Sequence, residues 1–235
     1  MKFKLLAAFF AVSLFTGVAA YAADFSKTDI EKIIKEYIAS HGDEISSSLD
    51  RFLTQEEREA AERTIIDHSP FIGDGDAAVT FIEYGDYRCG YCKRVQKDLA
   101  KLAKKYDGKV KFAFKFLPIL SEESRLAAFA ALAAHKQGKF WEYHEKMWEN
   151  QSRLGEGDSL LVQVAKDIDL NMKKFNKDRA SKAIEAEVYD DISDARALGI
   201  RGTPYFVIDG ASYPGVRKYP EFVRLLDKAL ADAKR

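Results

Sequence analysis

Apolar positions follow three patterns along this chain. Near the N-terminus they recur at helical spacing: Thr28-Asp29-Ile30-Glu31 has the form of a capping box, and Ile30, Ile33, Ile34, Tyr37 and Ile38 then line one stripe. A second helical stretch follows Gly42 with Ile45, Leu49, Phe52 and Leu53, passes into the charged Gln55-Glu56-Glu57-Arg58-Glu59, and reaches about Asp67. Two amphipathic helices of this kind form no core by themselves. Their stripe must be covered by the rest of the chain or by the same segment of another chain, and its continuity favours the second. Turn residues in Ser69-Pro70-Phe71-Ile72-Gly73-Asp74-Gly75-Asp76 then break the pattern and predict a boundary.

Beyond the boundary the period changes. Ala78 to Tyr84 is an apolar run that reads as a buried strand, and Lys93 to Tyr106 returns to helical spacing through Val95, Leu99, Leu102 and Ala103. Lys109 to Leu117 alternates into a second strand that ends near Pro118. A strand, a helix and a strand in this order predict parallel pairing. From Ser121 to about Leu198 the pattern is helical almost throughout, with Phe140, Trp141, His144, Met147 and Trp148 on one face; His144 reads there as a core residue. Tyr205 to Ile208 is strand-like, Asp209-Gly210 is a favoured hairpin dipeptide, Ala211 to Tyr213 returns, and Pro220 to Lys234 closes with an amphipathic helix. The predicted class is α/β, in the order β-α-β, a helical insertion, then β-β-α.

The first residues change the compartment. Lys2 and Lys4 precede an apolar run from Leu5 to Val18, followed by Ala20-Tyr21-Ala22, which reads as a secretory signal peptide over residues 1–22. The run is shorter than the roughly 20 residues a membrane span needs. The expected location is therefore an oxidising compartment outside the cytoplasm. Lysine plus arginine and aspartate plus glutamate both number 37; removing residues 1–22 takes away two lysines and no acid, leaving 35 minus 37, or −2. Nothing in that balance suggests a nucleic-acid partner.

Chemistry enters with the only two cysteines, in Cys89-Gly90-Tyr91-Cys92. At this spacing one thiolate can attack a disulfide and the other can resolve the mixed disulfide. The pair falls where a strand gives way to a helix, and a helix N-terminus favours an anion. Cys89 is accordingly expected to be the acidic, exposed nucleophile and Cys92 the buried resolving thiol. A structural zinc site needs four ligands, and none of His41, His68, His135 and His144 stands at finger spacing from the pair. A static disulfide across so short a loop would gain little entropy. Two soft thiolates can hold Cu(I), so copper binding stays open as a minor alternative; the reading assigns no metal and no cofactor.

A strand-end CxxC in this element order resembles the thioredoxin fold, and the helical insertion between its halves resembles the DsbA family of periplasmic thiol:disulfide oxidoreductases. The resemblance covers about residues 70–234. It rests on Cys89-Gly90-Tyr91-Cys92, on Gly138-Lys139-Phe140-Trp141-Glu142-Tyr143-His144 with Trp148 and Gln151 following, and on Gly202-Thr203-Pro204 before a strand. It implies a thioredoxin fold with a helical insertion at about 119–198 in a domain spanning 69–235, preceded by a helical oligomerisation region over 23–68. It implies a cis bond at Pro204, a Thr203-Pro204 loop that pairs with client backbone, and Gly90 and Tyr91 as further substrate contacts. It also implies that Glu83, six residues before Cys89, is a catalytic acid beneath the site, with Lys115 on the neighbouring strand as its partner. Tyr87 and Arg88, just before Cys89, are candidates for client contact, against the plainer reading that they are only neighbours of the site.

Two departures from the oxidase pattern matter. Gly90-Tyr91 replaces Pro-His and resembles the dipeptide of the isomerase DsbC, and Thr203 before Pro204 is similar to the isomerase and reductase branches; with no imidazole beside the thiolate, Cys89 is expected to be less acidic, and the pair a weaker oxidant, than in the oxidase. With the N-terminal helices, the chain resembles the oligomeric, isomerase-like ScsC branch. That resemblance implies misoxidised or unfolded secreted proteins as clients, a DsbD-like or DsbB-like membrane redox partner, and a homo-oligomer formed through residues 23–68. The rivals are a DsbA-like oxidase and, from another class, a copper-binding or envelope assembly protein.

Overall fold

A computed structural model describes residues 34–37, 40–41 and 69–234. The expected signal peptide, most of the first expected amphipathic helix and all of the second lie outside the described residues. Residues 34–37 and 40–41 have helical backbone, with Ile34 and Tyr37 exposed and the Tyr37 ring stacked on His41 at 4.2 Å.

In the larger unit, five strands form one sheet: β1 (Phe71–Ile72), β2 (Val79–Gly85), β3 (Val110–Phe116), β4 (Tyr205–Ile208) and β5 (Ala211–Pro214), in the order β1-β3-β2-β4-β5. The β2 and β3 strands are parallel, as the intervening helix requires, and the other pairs are antiparallel. Helix α1 (Gly90–Lys105) makes the crossover. The insertion contributes α2 (Glu122–His135), α3 (Phe140–Glu149), a 3-10 turn (Gln151–Glu156), α4 (Asp158–Asp167), α5 (Met172–Arg179) and α6 (Lys182–Ala197); α7 (Tyr219–Asp232) closes the chain.

Alternation along β2 and β3 assigns residues to two layers. Phe81 and Phe112 face Val95 and Leu102 of α1 and Phe222 and Leu226 of α7, whereas Ile82 and Ala113 face Ala195 of α6. Both faces are covered, so these strands are apolar nearly throughout. Each phenylalanine so buried contributes roughly 1.5–3 kcal/mol. The hairpin forms at the expected dipeptide: Asp209 and Gly210 both take positive φ, +50° and +84°, as a two-residue turn of this hand demands. At the end of β2, a Cβ on Gly85 would lie 2.6 Å from the Phe114 ring, so only glycine leaves that ring its place under the site.

Two expectations need correction. Phe71-Ile72, read as part of a turn-rich boundary, forms the edge strand β1, pairing with Ala113 and Phe112. Lys115 does not face Glu83: in the parallel register Glu83 pairs with Phe114 and Tyr84 with Lys115, which puts the lysine on the opposite face of the sheet. There its ammonium is fully buried against Asp191, at 3.2 Å, and Asp194, both on α6.

Candidate functional site

Cys89 is the N-cap of α1. Its backbone is extended (φ −76°, ψ 112°), and its Sγ accepts the Cys92 N–H at 3.4 Å, one of the donors that a helix start leaves unpaired. The loop feeding the cap is tied by Asp86, whose main-chain carbonyl accepts the Cys89 N–H at 2.9 Å. The Asp86 carboxylate accepts the Arg88 N–H at 2.8 Å and the Leu120 N–H at 3.0 Å. From the insertion, Gln151 Nε2 donates to the carbonyls of Tyr87 at 2.8 Å and Cys89 at 2.9 Å. Above the cap lies the Thr203–Pro204 loop. The peptide between these residues is cis, and the Cys89 thiol donates to Thr203 O at 3.3 Å.

The expectation of an exposed nucleophile is not met, because this loop, 114 residues away in sequence, covers Cys89 and leaves it 5% exposed. The thiol is acidic, in the direction the helix cap predicts: the Cys92 side chain first, then the Thr203 side chain and the N–H groups of Cys92 and Tyr91, stabilise the thiolate against burial and hold its pKa at about 5. Cys92 is fully buried, and burial above all pushes its thiol far upward, with the thiol of Cys89 and the charge of Glu83 adding to the effect. Both cysteines are free. Gly90 has open space around it, and Tyr91 is 56% exposed with the Arg94 guanidinium 4.5 Å over its ring. Tyr87, by contrast, points into the core at 1% exposure, while Arg88 is exposed.

Glu83 is brought beneath the pair, 4% exposed, with its pKa raised to about 8 by burial, against the lowering effect of a Gln96 hydrogen bond. Its partner is Gln96, whose Nε2 lies 3.0 and 3.2 Å from the two carboxyl oxygens and 3.1 Å from Cys92 O. His144 packs as a core residue, as expected, and burial drops its pKa to about 3. It is also hydrogen-bonded: Trp148 Nε1 donates to Nε2 at 2.8 Å, so the ring proton sits on Nδ1, 2.9 Å from Tyr87 Oη. Among the described residues no three His, Cys, Asp or Glu side chains gather to hold a metal, and no helix is long and apolar enough to cross a membrane.

Asp86 and Gln96 stand outside the motifs. Asp86-Tyr87-Arg88 carries one local signal, an aspartate whose side chain caps the amide two residues on. Gln96 carries none beyond its place one helical turn after Cys92.

An alkylation profile tests the electrostatics directly. Iodoacetamide is expected to modify Cys89 of the reduced protein with a pH midpoint near 5 and to leave Cys92 unmodified until unfolding. A midpoint near an ordinary thiol's 8.5 would refute the stabilised thiolate. Stability curves are less direct, because two linkages oppose. The depressed Cys89 stabilises the fold fully above its unfolded pKa, and this is lost as pH falls from about 9 to about 5. The raised Glu83 favours the fold at low pH, and this is lost as pH rises from about 4.5 to about 8.

The thioredoxin family model matches residues 65–228. Disulfide bond formation protein D of Bacillus subtilis (strain 168) is 31% identical over 172 residues, covering 68% of this chain and 77% of that protein. The solved catalytic domain of Proteus mirabilis ScsC superposes with a TM-score of 0.64 at 26% identity, covering 74% of this chain and 98% of that one. The Na(+)/H(+) antiporter NhaA 3 of Salinispora tropica is 29% identical over 164 residues, and the match spans only 25% of its length.

Proposed function

The chain belongs to the thioredoxin family, and from that premise we propose that it is a thiol–disulfide oxidoreductase acting on protein disulfides, working chiefly as an isomerase and reductase. The observation that carries this reading is the asymmetry of the pair: a thiolate stabilised at a helix cap beside a cis-proline loop, with a buried, strongly basic thiol one turn behind it. Cys89 is the nucleophile and Cys92 the resolving thiol. Cys89 thiolate attacks a client disulfide, forming the mixed disulfide and releasing a client thiolate. Return attack by a client thiol gives a rearranged bond, which is isomerisation. Attack by Cys92 releases the reduced client and oxidises the pair, which is reduction. The backbone at Thr203-Pro204 holds the client strand-wise, and exposed Tyr91 lies where a client side chain would rest.

Clients are misoxidised or unfolded proteins in the periplasm, reached through a signal peptide at 1–22. A membrane partner of DsbD-like or DsbB-like kind resets the pair. Residues 23–68 pair copies of the chain, and 69–235 carry the chemistry. One observation favours the oxidase alternative: a thiolate held at about pKa 5 stabilises the reduced form, and this makes the disulfide a stronger oxidant.

Equilibration with glutathione and refolding of a scrambled disulfide protein separate the two. The isomerase reading expects a pair that stays reduced at periplasmic poise. It also expects faster refolding with the full chain than with residues 69–235 alone, while insulin reduction by the two is equal. A pair that equilibrates as the disulfide would make the chain an oxidase. Equal refolding by the shortened chain would remove the role of residues 23–68.

A further inference from the structure

We infer that Gln96 is a positioning residue for the resolving half-reaction: its side-chain amide clamps the Glu83 carboxyl to the Cys92 carbonyl and so fixes where the thiol proton of Cys92 goes. This rests on the oxidoreductase reading of the cysteine pair and adds to it a residue that no motif marks.

Glu83 needs such a clamp because its surroundings supply little else. Phe81, Phe112 and Phe114 wall a cleft of about 760 Å³ that reaches the acid between α1 and α3, with Trp141 and Trp148 opposite. A carboxyl against apolar walls is free to turn unless a donor holds it. The lysine expected to hold it lies across the sheet. Gln96 Nε2 meets three acceptors within 3.2 Å: both carboxyl oxygens and the carbonyl of Cys92. The glutamine is held by these acceptors, the Cys92 carbonyl lying on its own helix; its Oε1 stands 3.3 Å from Nε2 of His144, which already accepts from Trp148 and has no proton to give.

This arrangement assigns the proton. In resolution the Cys92 thiol gives its proton to the Glu83 carboxylate, directly or through water in the cleft. Its sulfur attacks Sγ of Cys89, the Cys89–Cys92 bond forms, the bond from Cys89 to the client breaks, and the client leaves as a thiolate that takes up a solvent proton. His144 does not compete for the proton, since its burial keeps the ring neutral down to about pH 3. Glu83, at about 8, exchanges protons in the working range. The charge that acts on it is that of Cys89; the other charged groups lining the cleft are Lys93, Lys97 and Lys104 of α1 with Asp107 just after it, and Glu145 and Glu149 of α3.

Oxidised glutathione separates the steps, because Cys89 attacks it first and Cys92 then resolves the Cys89–glutathione disulfide. In Gln96→Met the first step should stay within about twofold of the parent while resolution slows about tenfold and its pH midpoint moves. Glu83→Gln should slow resolution at least as much, and adding Gln96→Met to it should change nothing further, because the glutamine acts through the acid. Resolution at the parent rate in Gln96→Met, or an equal further loss in the Glu83→Gln background, would overturn the inference. Should the methionine variant not fold, Gln96→Glu keeps the shape and sets a second carboxyl beside Glu83; its resolution midpoint should rise, and an unmoved midpoint would equally overturn the inference. A parent chain that forms no Cys89–glutathione disulfide at all would instead fail the oxidoreductase reading on which this rests.

Discussion

Cys89→Ser is expected to abolish disulfide exchange, lowering insulin reduction and scrambled-protein refolding by roughly 10³-fold or more. The reason is electrostatic as well as chemical. The site stabilises an anion with the Cys92 side chain, the Thr203 side chain and two backbone N–H groups, and at neutral pH the Cys89 thiol is ionised nearly completely. A serine hydroxyl in the same place would stay protonated and could form no disulfide. Cys92→Ser should behave differently. Attack on the client survives, because the N-cap and its amide donors remain, but the mixed disulfide is no longer resolved from within. That variant is expected to accumulate covalent adducts on Cys89, visible by mass spectrometry and released by reductant. Retention of full activity by Cys89→Ser would sink the assignment. Adducts on Cys92 in a Cys89→Ser background would reverse the two roles.

How much of this was legible in the sequence depends on the range of the interactions. The strand–helix–strand unit, the Asp209-Gly210 hairpin and the helical insertion are local patterns, and each formed close to where the spacing put it. The fates of Cys89 and Lys115 are not local. Burial of Cys89 is imposed by a loop 114 residues on, so its helix-cap acidity could be read while its exposure could not. The partner of Lys115 turned on parity. Glu83 and Lys115 both sit near the ends of adjacent strands, which suggests contact, but register decides the face and registers Lys115 with Tyr84 instead. A two-residue strand such as β1 is too short to show a period. Gln96 is invisible for another reason: a polar residue on a helix after CxxC looks like any solvated position until the acid beneath it is placed.

Lys115 carries the largest expected effect on stability. Lys115→Met should cost about 3–5 kcal/mol, because removing one partner of a buried ion pair leaves the other charge without compensation. Asp191 is the group so stranded: its side chain is 1% exposed, and besides the Lys115 ammonium it holds the Phe116 N–H at 2.8 Å. The pair fastens α6, the last helix of the insertion, to β3, so the damage would fall on the seam between insertion and sheet. Against a total stability of roughly 5–15 kcal/mol this is a large fraction, and urea denaturation should show it as a lower midpoint with little change in slope. Lys115→Met combined with Asp191→Leu should recover much of the loss, since apolar replacement of a whole buried pair is often near neutral, less the cost of leaving the Phe116 N–H without its acceptor. The same variant checks the separation of the two faces. The pH dependence of resolution by Cys92 should be unchanged in Lys115→Met, because Glu83 answers to Gln96 and to its own burial and not to the lysine. A shifted profile would return Lys115 to the site; a loss below about 1 kcal/mol would show the ion pair contributes no more than a surface one.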